Sequence, residues 1–258
     1  MRSMDSFGSP AFERAHVVVR RLIAERHDRP SLVSDIACRI GAEIIEGVRR
    51  QADDLNSVEL ARAYDTSRTP VREALLLLEK EGLVEIQARR RPRVATFALD
   101  DIRDIYRARS ALLELAARSI ASTITAEQLD VLRQHLANMA SALDEPSAYM
   151  WANVDFHTAQ TEICGNRYVK RVVDSLLLRT LPLRRLSLSQ NGRLHRSYDD
   201  HSRLVQSYAE GDADLAAAIV RNNHMNALVI LEKLLAEPQD RRHGRKSAAR
   251  QIPVRITD

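Results

Sequence analysis

The 258-residue sequence predicts a mainly α-helical protein in two parts. The first is a three-helix unit closed by a small β-hairpin, and the second an all-α bundle of antiparallel helices. Glycine and proline number only 8 each, too few for the turns of a many-stranded protein. Apolar residues make up 45% and charged residues 29%, a globular balance that excludes a wholly disordered chain. Through most of the chain the apolar residues recur with the helical period.

Taken in order, the first 30 residues hold one short helical pattern, Val17, Val18, Leu22 and Ile23, broken by Asp28-Arg29-Pro30. They read as a mobile extension, residues 1–33. Ser34 is the expected N-cap of a first helix, with Ile36, Ile40, Ile44 and Val48 on one side. Leu55-Asn56-Ser57 opens a short second helix containing Leu60, Ala61 and Tyr64, and Asp65-Thr66 makes a tight turn. A third helix starts near Thr69 as N-cap, with Pro70 in the first turn, where a missing N–H is tolerated. It runs through Val71, Ala74, Leu75 and Leu78, and Gly82 suits its C-terminal cap. Leu83–Ile86 and Arg93–Phe97 read as short strands around the basic turn 88–92. Segments 101–122, 126–143, 147–163, 167–188, 195–209 and 212–236 then show helical periodicity, with a capping box at Thr125 and Gln128. Breaks fall at Asp144-Glu145-Pro146, Gly165-Asn166, Gln190-Asn191-Gly192 and Gly211. The units are therefore an extension 1–33, a hairpin-closed unit 34–98, a helical domain 99–236, and a basic, disordered tail 237–258.

Composition removes several function classes. Aromatic residues are 4% with one Trp, too few to stack single-stranded bases. Two cysteines, Cys38 and Cys164, cannot build a disulfide framework and imply a reducing, cytoplasmic setting. No run of 18 apolar residues and no signal-peptide pattern occurs, so neither membrane spanning nor secretion is expected. The net charge is only +4, but residues 62–93 carry 8 basic against 5 acidic side chains. Such a local cluster suits a DNA footprint, with a solvated charged face as the alternative.

Helix, short helix, turn, helix and hairpin is the order of a winged helix-turn-helix, whose third helix enters the major groove of duplex DNA. Arg68 and Arg72 stand one turn apart, and an arginine fork matches the two acceptors of guanine. Ser67, Thr69 and the free N–H groups of the helix start can hold a phosphate. Arg89, Arg90, Arg91 and Arg93 of the wing can reach a minor groove or backbone, while Arg62 either binds phosphate or lies solvated.

Glu59-Leu60-Ala61, Ser67-Arg68-Thr69-Pro70-Val71-Arg72-Glu73-Ala74-Leu75 and Leu78-Glu79-Lys80-Glu81-Gly82-Leu83-Val84 together resemble the GntR family of bacterial transcription regulators, over about 35–97. The resemblance implies a homodimer on a pseudo-palindromic operator, acting as a repressor. The chain departs from the family pattern in three places. Gln51-Ala52-Asp53-Asp54 stands where Pro-Gly is usual, Arg89 takes the wing-tip glycine, and Val58 takes the slot of a phosphate-binding arginine.

In the helical domain Asn153 and His157 are four apart on one face, and His201 and His224 lie on two later helices. Three imidazoles from separate helices can converge on zinc or nickel inside a bundle, satisfied or exposed histidines being the alternative. Asn153-x-x-Phe156-His157, Gly165-Asn166, Asp200-His201 and Gly211-Asp212-x-x-x-Ala216 followed by His224 resemble the FCD domain of the FadR subfamily, over about 100–236. That resemblance implies a divalent metal held by Asn153, His157, His201 and His224. The family's usual Asp is Asn153 here, which leaves the metal's charge uncompensated and favours a small organic acid as effector. Arg109 is a candidate effector contact, an interhelical ion pair being its alternative; Tyr106, His195 and Arg179 rank below it.

Two rival functions are an effector-independent DNA-binding protein and a metal-dependent enzyme of the helical domain. The sequence has no His-Glu-x-x-His helix, Gly-rich phosphate loop or nucleophile–base pair, so no enzyme is expected.

Overall fold

The computed structural model describes residues 9–24 and 31–236. Its helices are α1 Pro10–Ala24, α2 Leu32–Ile45, α3 Ser57–Ala63, α4 Arg68–Lys80, α5 Leu99–Thr123, α6 Ala126–Ala140, α7 Pro146–Ile163, α8 Arg167–Ser175, α9 Leu177–Leu188, α10 Arg193–Glu210 and α11 Ala213–Ala236. Strands β1 Val84–Glu85 and β2 Arg93–Val94 pair antiparallel, Val84 opposite Val94 and Glu85 opposite Arg93. The mainly α architecture with one small wing is the one the sequence predicts. Among the described residues no helix is long and apolar enough to cross a membrane.

The N-terminal segment differs from expectation. Phe12, Ala15, Val18, Val19, Leu22 and Ile23 are buried on one side of α1, which packs on α2 and also meets α7. Arg14 of α1 pairs with Asp155 of α7. Burial of six apolar side chains makes residues 10–24 an integral helix and not a mobile extension. The predicted break at 28–30 and the basic tail 237–258 lie outside the described residues.

The cap of α2 is Ser31, not Ser34. Ser31 Oγ accepts from Ser34 N at 3.2 Å and Ser34 Oγ accepts from Ser31 N at 2.9 Å, so Ser34 is the return arm of a capping box. Val48, placed on the helix by its spacing, lies beyond the end of α2 and is 42% exposed. In the same way Ser67 is the N-cap of α4, and Thr69 and Pro70 fall in its first turn. The stop of α4 is as expected. Gly82 adopts φ +73°, its N–H donates to Glu79 O and Leu83 N donates to Leu78 O, both at 2.9 Å, the pairing of a Schellman cap.

The strands are shorter than the sequence suggests because side chains replace the outer ladder. Glu85 Oε1 accepts from Thr96 N at 2.7 Å, and Glu79 Oε1 accepts from Ile86 N at 3.2 Å. On its other edge β2 is bonded to the 52–55 loop, through Ala52 N to Val94 O at 3.1 Å, Val94 N to Asp53 O at 3.0 Å and Leu55 N to Pro92 O at 2.7 Å. The wing is thereby tied to the segment that precedes α3.

In the helical domain α5 and α11 pack along much of their lengths, α10 meets α6 and α11, and α6 meets α7. The Thr125–Gln128 capping box forms as predicted. The segment read as one helix over 167–188 is two, α8 and α9, separated at Leu176. The winged unit sits on this bundle. Glu46, just past α2, accepts from Trp151 Nε1 at 2.9 Å and from Ser147 Oγ at 2.8 Å, both on α7.

Candidate functional site

Two regions assemble the predicted residues. The first is the outer face of α4 with the wing. Val71, Ala74, Leu75 and Leu78 are buried, and this turns Arg68, Thr69 and Arg72 outward, where all three are exposed. Ser67 is exposed and its hydroxyl makes no cap bond, while Leu76, 48% exposed, continues the row one turn beyond Arg72. Among the described residues Arg62, Arg68, Arg72, Arg89 and Arg91 form no ion pair, and all five are exposed. Arg90 is exposed too and donates to Gln87 Oε1 at 3.0 Å. Arg93 differs: its Nε donates to Asp54 Oδ1 at 2.7 Å, making it a strut of the wing.

The family's two missing glycines leave a trace in the backbone. Ala52 has φ +66° and Arg89 φ +61°, so both substitutes keep the left-handed conformation that glycine would supply. Asp65, in the turn before α4, has φ +48°, a conformation Asp tolerates better than most residues.

The second region is a cavity of about 30 Å³ inside the helical domain, lined among others by Tyr106, Arg109, Asn153, His157, Arg184 and His224. By the volume of a water site it holds about two waters. Its placement follows from the helices: α5 carries Arg109, α7 Asn153 and His157, α9 Arg184, α10 His201 and α11 His224. All six are at most 9% exposed.

The hydrogen bonds fix the histidine tautomers. His201 Nδ1 donates to Ser197 O at 2.6 Å and His224 Nδ1 to Val220 O at 2.9 Å, since a carbonyl can only accept. Gln160 Nε2 donates to Tyr208 OH at 2.7 Å, which turns Gln160 Oε1 to accept from His157 Nδ1 at 3.0 Å. Nε2 is therefore the unprotonated nitrogen on each ring. His157 Nε2 and His201 Nε2 face each other at 3.3 Å, and of the two only the His201 nitrogen has a donor beside it. Asn153 Nδ2 donates to His201 Nε2 at 3.1 Å, and its Oδ1 accepts from Arg184 Nη1 at 2.9 Å. The Asn153 oxygen, expected beside the three imidazoles as a fourth donor, is engaged by a guanidinium. As the rings stand, among the described residues no three His, Cys, Asp or Glu side chains are placed to hold a metal ion.

The charge around the rings is positive. Burial, then Arg184, holds His157 well below the usual imidazole range, and burial brings His201 down to about 4 and His224 to about 3. Burial followed by Arg184 lowers Arg109 to about 9, and burial lowers Arg184 to about 10. Neutral imidazoles beside crowded guanidiniums make a site that gains from an anion.

Arg109, the expected effector contact with an interhelical ion pair as its alternative, is 2% exposed and lines the cavity, and its Nη1 donates to Val173 O at 3.5 Å. The glutamate one turn further along α5, Glu114, bonds Arg221 and Ser110 instead. Arg184, Arg193 and Ser187 were missed. The available signal was a charged residue at a core position of α9, Leu-Pro-Leu-Arg-Arg-Leu, where Arg184 falls among buried leucines. Tyr106 lines the cavity, whereas His195 and Arg179 do not.

Known families match both parts of the chain. The family described as bacterial regulatory proteins, gntR family, matches residues 32–94, and the FCD domain matches residues 104–227. The uncharacterized HTH-type transcriptional regulator YdhC of Bacillus subtilis is 28% identical over 51% of this chain, which spans 60% of that protein's length. BphR of Paraburkholderia xenovorans, also an uncharacterized HTH-type regulator, is 28% identical over 79% of this chain and 86% of its own. The HTH-type transcriptional repressor NanR of Escherichia coli K12 is 26% identical over 88% of this chain and 94% of its own. A GntR regulator structure from Rhodococcus sp. RHA1 shares the fold, with TM-score 0.68 at 18% identity over 81% of this chain and all of that one. A winged helix-turn-helix joined to an FCD domain, in relatives that are regulators and not enzymes, establishes that the chain belongs to the GntR family of bacterial transcription regulators, in its FadR subfamily.

Proposed function

We propose that the protein is a cytoplasmic, effector-controlled repressor that binds a pseudo-palindromic operator as a homodimer and releases it when a small organic acid enters the helical domain. The observation that carries this reading is a pair of exposed arginines on α4, without an ion pair among the described residues, combined with a buried, arginine-rich cavity in the same chain. That the related NanR of Escherichia coli K12 is a transcriptional repressor supports the direction of control.

On DNA, Arg68 and Arg72 read guanine edges, Leu76 offers an apolar contact, and Ser67 and Thr69 set register on phosphate. The wing arginines 89–91 and Arg62 add contacts to the backbone or minor groove. In the cavity a carboxylate meets Arg109 and Arg184. A divalent metal, zinc or nickel, would be held by His157, His201 and His224, with Asn153 beside them, and would supply positive charge to attract the same anion.

Coupling between the regions runs through α9. Arg184 faces the cavity and bonds Asn153, while the adjacent Arg185 lies against Gly47 beyond α2, where an added Cβ would stand 2.5 Å from its Nη1. Arg179, on the same helix, lies against Gly82 at the end of α4, 2.9 Å from a Cβ there. An anion that draws Arg184 therefore acts on a helix that also supports the ends of α2 and α4.

Gel-shift titration of operator DNA selected with the full chain, against small carboxylates with and without chelator, tests the reading. Release of DNA by one or more carboxylates is expected; release by none removes effector control. Metal content of purified wild type and His157→Ala tests the ion, and equal, near-zero occupancy in both removes it.

A further inference from the structure

One charged segment takes no part in either region. Residues 237–258 carry 6 basic and 3 acidic side chains, and Arg241-Arg242-His243-Gly244-Arg245-Lys246 within them holds four cations and no carboxylate. The winged unit, by contrast, is electrically balanced: residues 32–94 hold 11 basic and 11 acidic side chains. Attraction to phosphate supplies essentially all of a protein's sequence-independent hold on DNA, and a unit without net charge supplies little of it.

The helices show where the basic segment starts. α11 runs antiparallel to α5, and three ion pairs mark the register: Asp214 with Arg118, Arg221 with Glu114 at 2.6 Å and Glu232 with Arg103 at 2.6 Å. The end of α11 at Ala236 therefore lies beside the start of α5 at Leu99, just past β2. Leu235 of α11 and Phe97, which follows β2, pack on one apolar cluster with Ile102 and Leu231. A chain spans at most about 3.6 Å per residue, so Arg241 to Lys246 can lie no further than about 18–36 Å from Ala236. That radius takes in the base of the wing and up to one turn of a duplex held there, about 34–36 Å. Carboxylates near the exit compete weakly. Asp100 pairs with Arg103 at 2.8 Å, and Asp101 and Asp104 are exposed single charges, whereas duplex DNA presents one negative charge per about 1.7 Å.

We propose that residues 237–258 are a second, sequence-independent DNA contact, in which Arg241, Arg242, Arg245 and Lys246 bind phosphates of the duplex that flanks the site read by α4. The proposal rests on DNA binding by the winged unit and needs neither the effector nor the metal. Specificity stays with α4, because phosphates carry no base sequence, and the added segment supplies the long-range attraction that the balanced winged unit lacks.

The experiment is fluorescence anisotropy of the full chain on its selected operator at about 50–200 mM salt, the duplex either trimmed to the bound site or extended by one turn at each end. Arg241→Gln, Arg242→Gln, Arg245→Gln and Lys246→Gln combined should flatten the slope of log affinity against log salt by about 3.6 per protomer, four contacts at about 0.9 each. The added turns should strengthen binding by the wild type and not by this variant. Its preference for operator over a scrambled duplex of equal length should match that of the wild type. Arg241→Lys, Arg242→Lys and Arg245→Lys combined keep the charge and should keep the wild-type slope. A flattening worth less than one contact, or an equal gain from the added turns in both chains, overturns the proposal while DNA binding by the winged unit stands. A lost operator preference in the glutamine variant overturns it too, since the segment would then read bases. Vesicles of equal phosphatidylglycerol and phosphatidylcholine complete the test. Binding to them that the four glutamines abolish, with operator affinity unmoved, assigns the segment to an anionic lipid surface and overturns the DNA contact. No binding of any duplex by the wild type overturns the proposal and the DNA reading together.

Discussion

Single residues on α4 and the wing separate reading from anchoring. Arg68 is exposed, and unpaired among the described residues, on a helix whose opposite side is buried, so its guanidinium is available without breaking a bond to them. Arg68→Ala is expected to cost about 1–3 kcal/mol of operator binding and to relax base preference at one position. Arg91→Ala should instead weaken binding to all sequences alike and flatten the salt dependence. Affinity measured on a set of single-base operator variants at two salt concentrations distinguishes the two. The left-handed residues give a prediction of opposite signs. Ala52→Gly removes backbone strain at φ +66° and should stabilise by about 0.5–1 kcal/mol, leaving DNA binding as it was. Arg89→Gly should also stabilise, from φ +61°, while weakening DNA binding through its lost charge. Thermal unfolding and gel shift on the same two proteins check both. The glycine-for-Arg89 exchange was legible in the sequence only through the family pattern; the positive φ is what ties the residue to a turn and not to a strand.

At the scale of elements, α9 is the piece the sequence described least well. Its apolar pattern merged with α8, and a helix carrying Pro182 and two adjacent arginines among leucines has no clean polar face from which to read orientation. The structure sorts those arginines: Arg184 turns inward to Asn153, and Arg179 and Arg185 turn to the winged unit. Arg179→Ala combined with Arg185→Ala is expected to leave effector affinity nearly unchanged and to shrink the effector's influence on operator affinity, a coupling of about 1–3 kcal/mol in a typical regulator. Operator titrations with and without saturating effector measure it, and an undiminished shift would place the coupling elsewhere. Gly82→Ala should destabilise by about 1–2 kcal/mol, since φ +73° is unfavourable for alanine and Arg179 must also give way. The caps of α2 and α4 show the limit of sequence reading in small form. A serine, Ser31 or Ser67, precedes each expected cap by two or three residues, and only the backbone bonds decide which one closes the helix.

For the whole molecule, the order of elements and the recognition residues were legible because helical periodicity and the Ser67–Leu75 motif are local in sequence. The cavity was legible only in outline. Its three histidines stand out as residue types, but its arginines come from α5, α9 and α10, and nothing local in sequence announces that they meet. The packed α1 was missed for a related reason: its apolar side is completed by α2 and α7, which lie elsewhere in the chain. A homodimer should protect two half-sites one helical turn apart, about 34–36 Å between centres. Footprinting the selected operator, with sedimentation of the free protein, tests this; one protected half-site and a monomer would remove the dimer.

One contact gives the molecule a built-in optical reporter. The chain's single tryptophan, Trp151, holds its indole N–H against the Glu46 carboxylate at the seam between α7 and the end of α2. Any separation of those helices exposes this indole to solvent and strips it of its anionic neighbour. Its emission should therefore shift to the red when the winged unit lifts from the bundle, with no label attached, and stay fixed if ligand signals travel without that hinge opening.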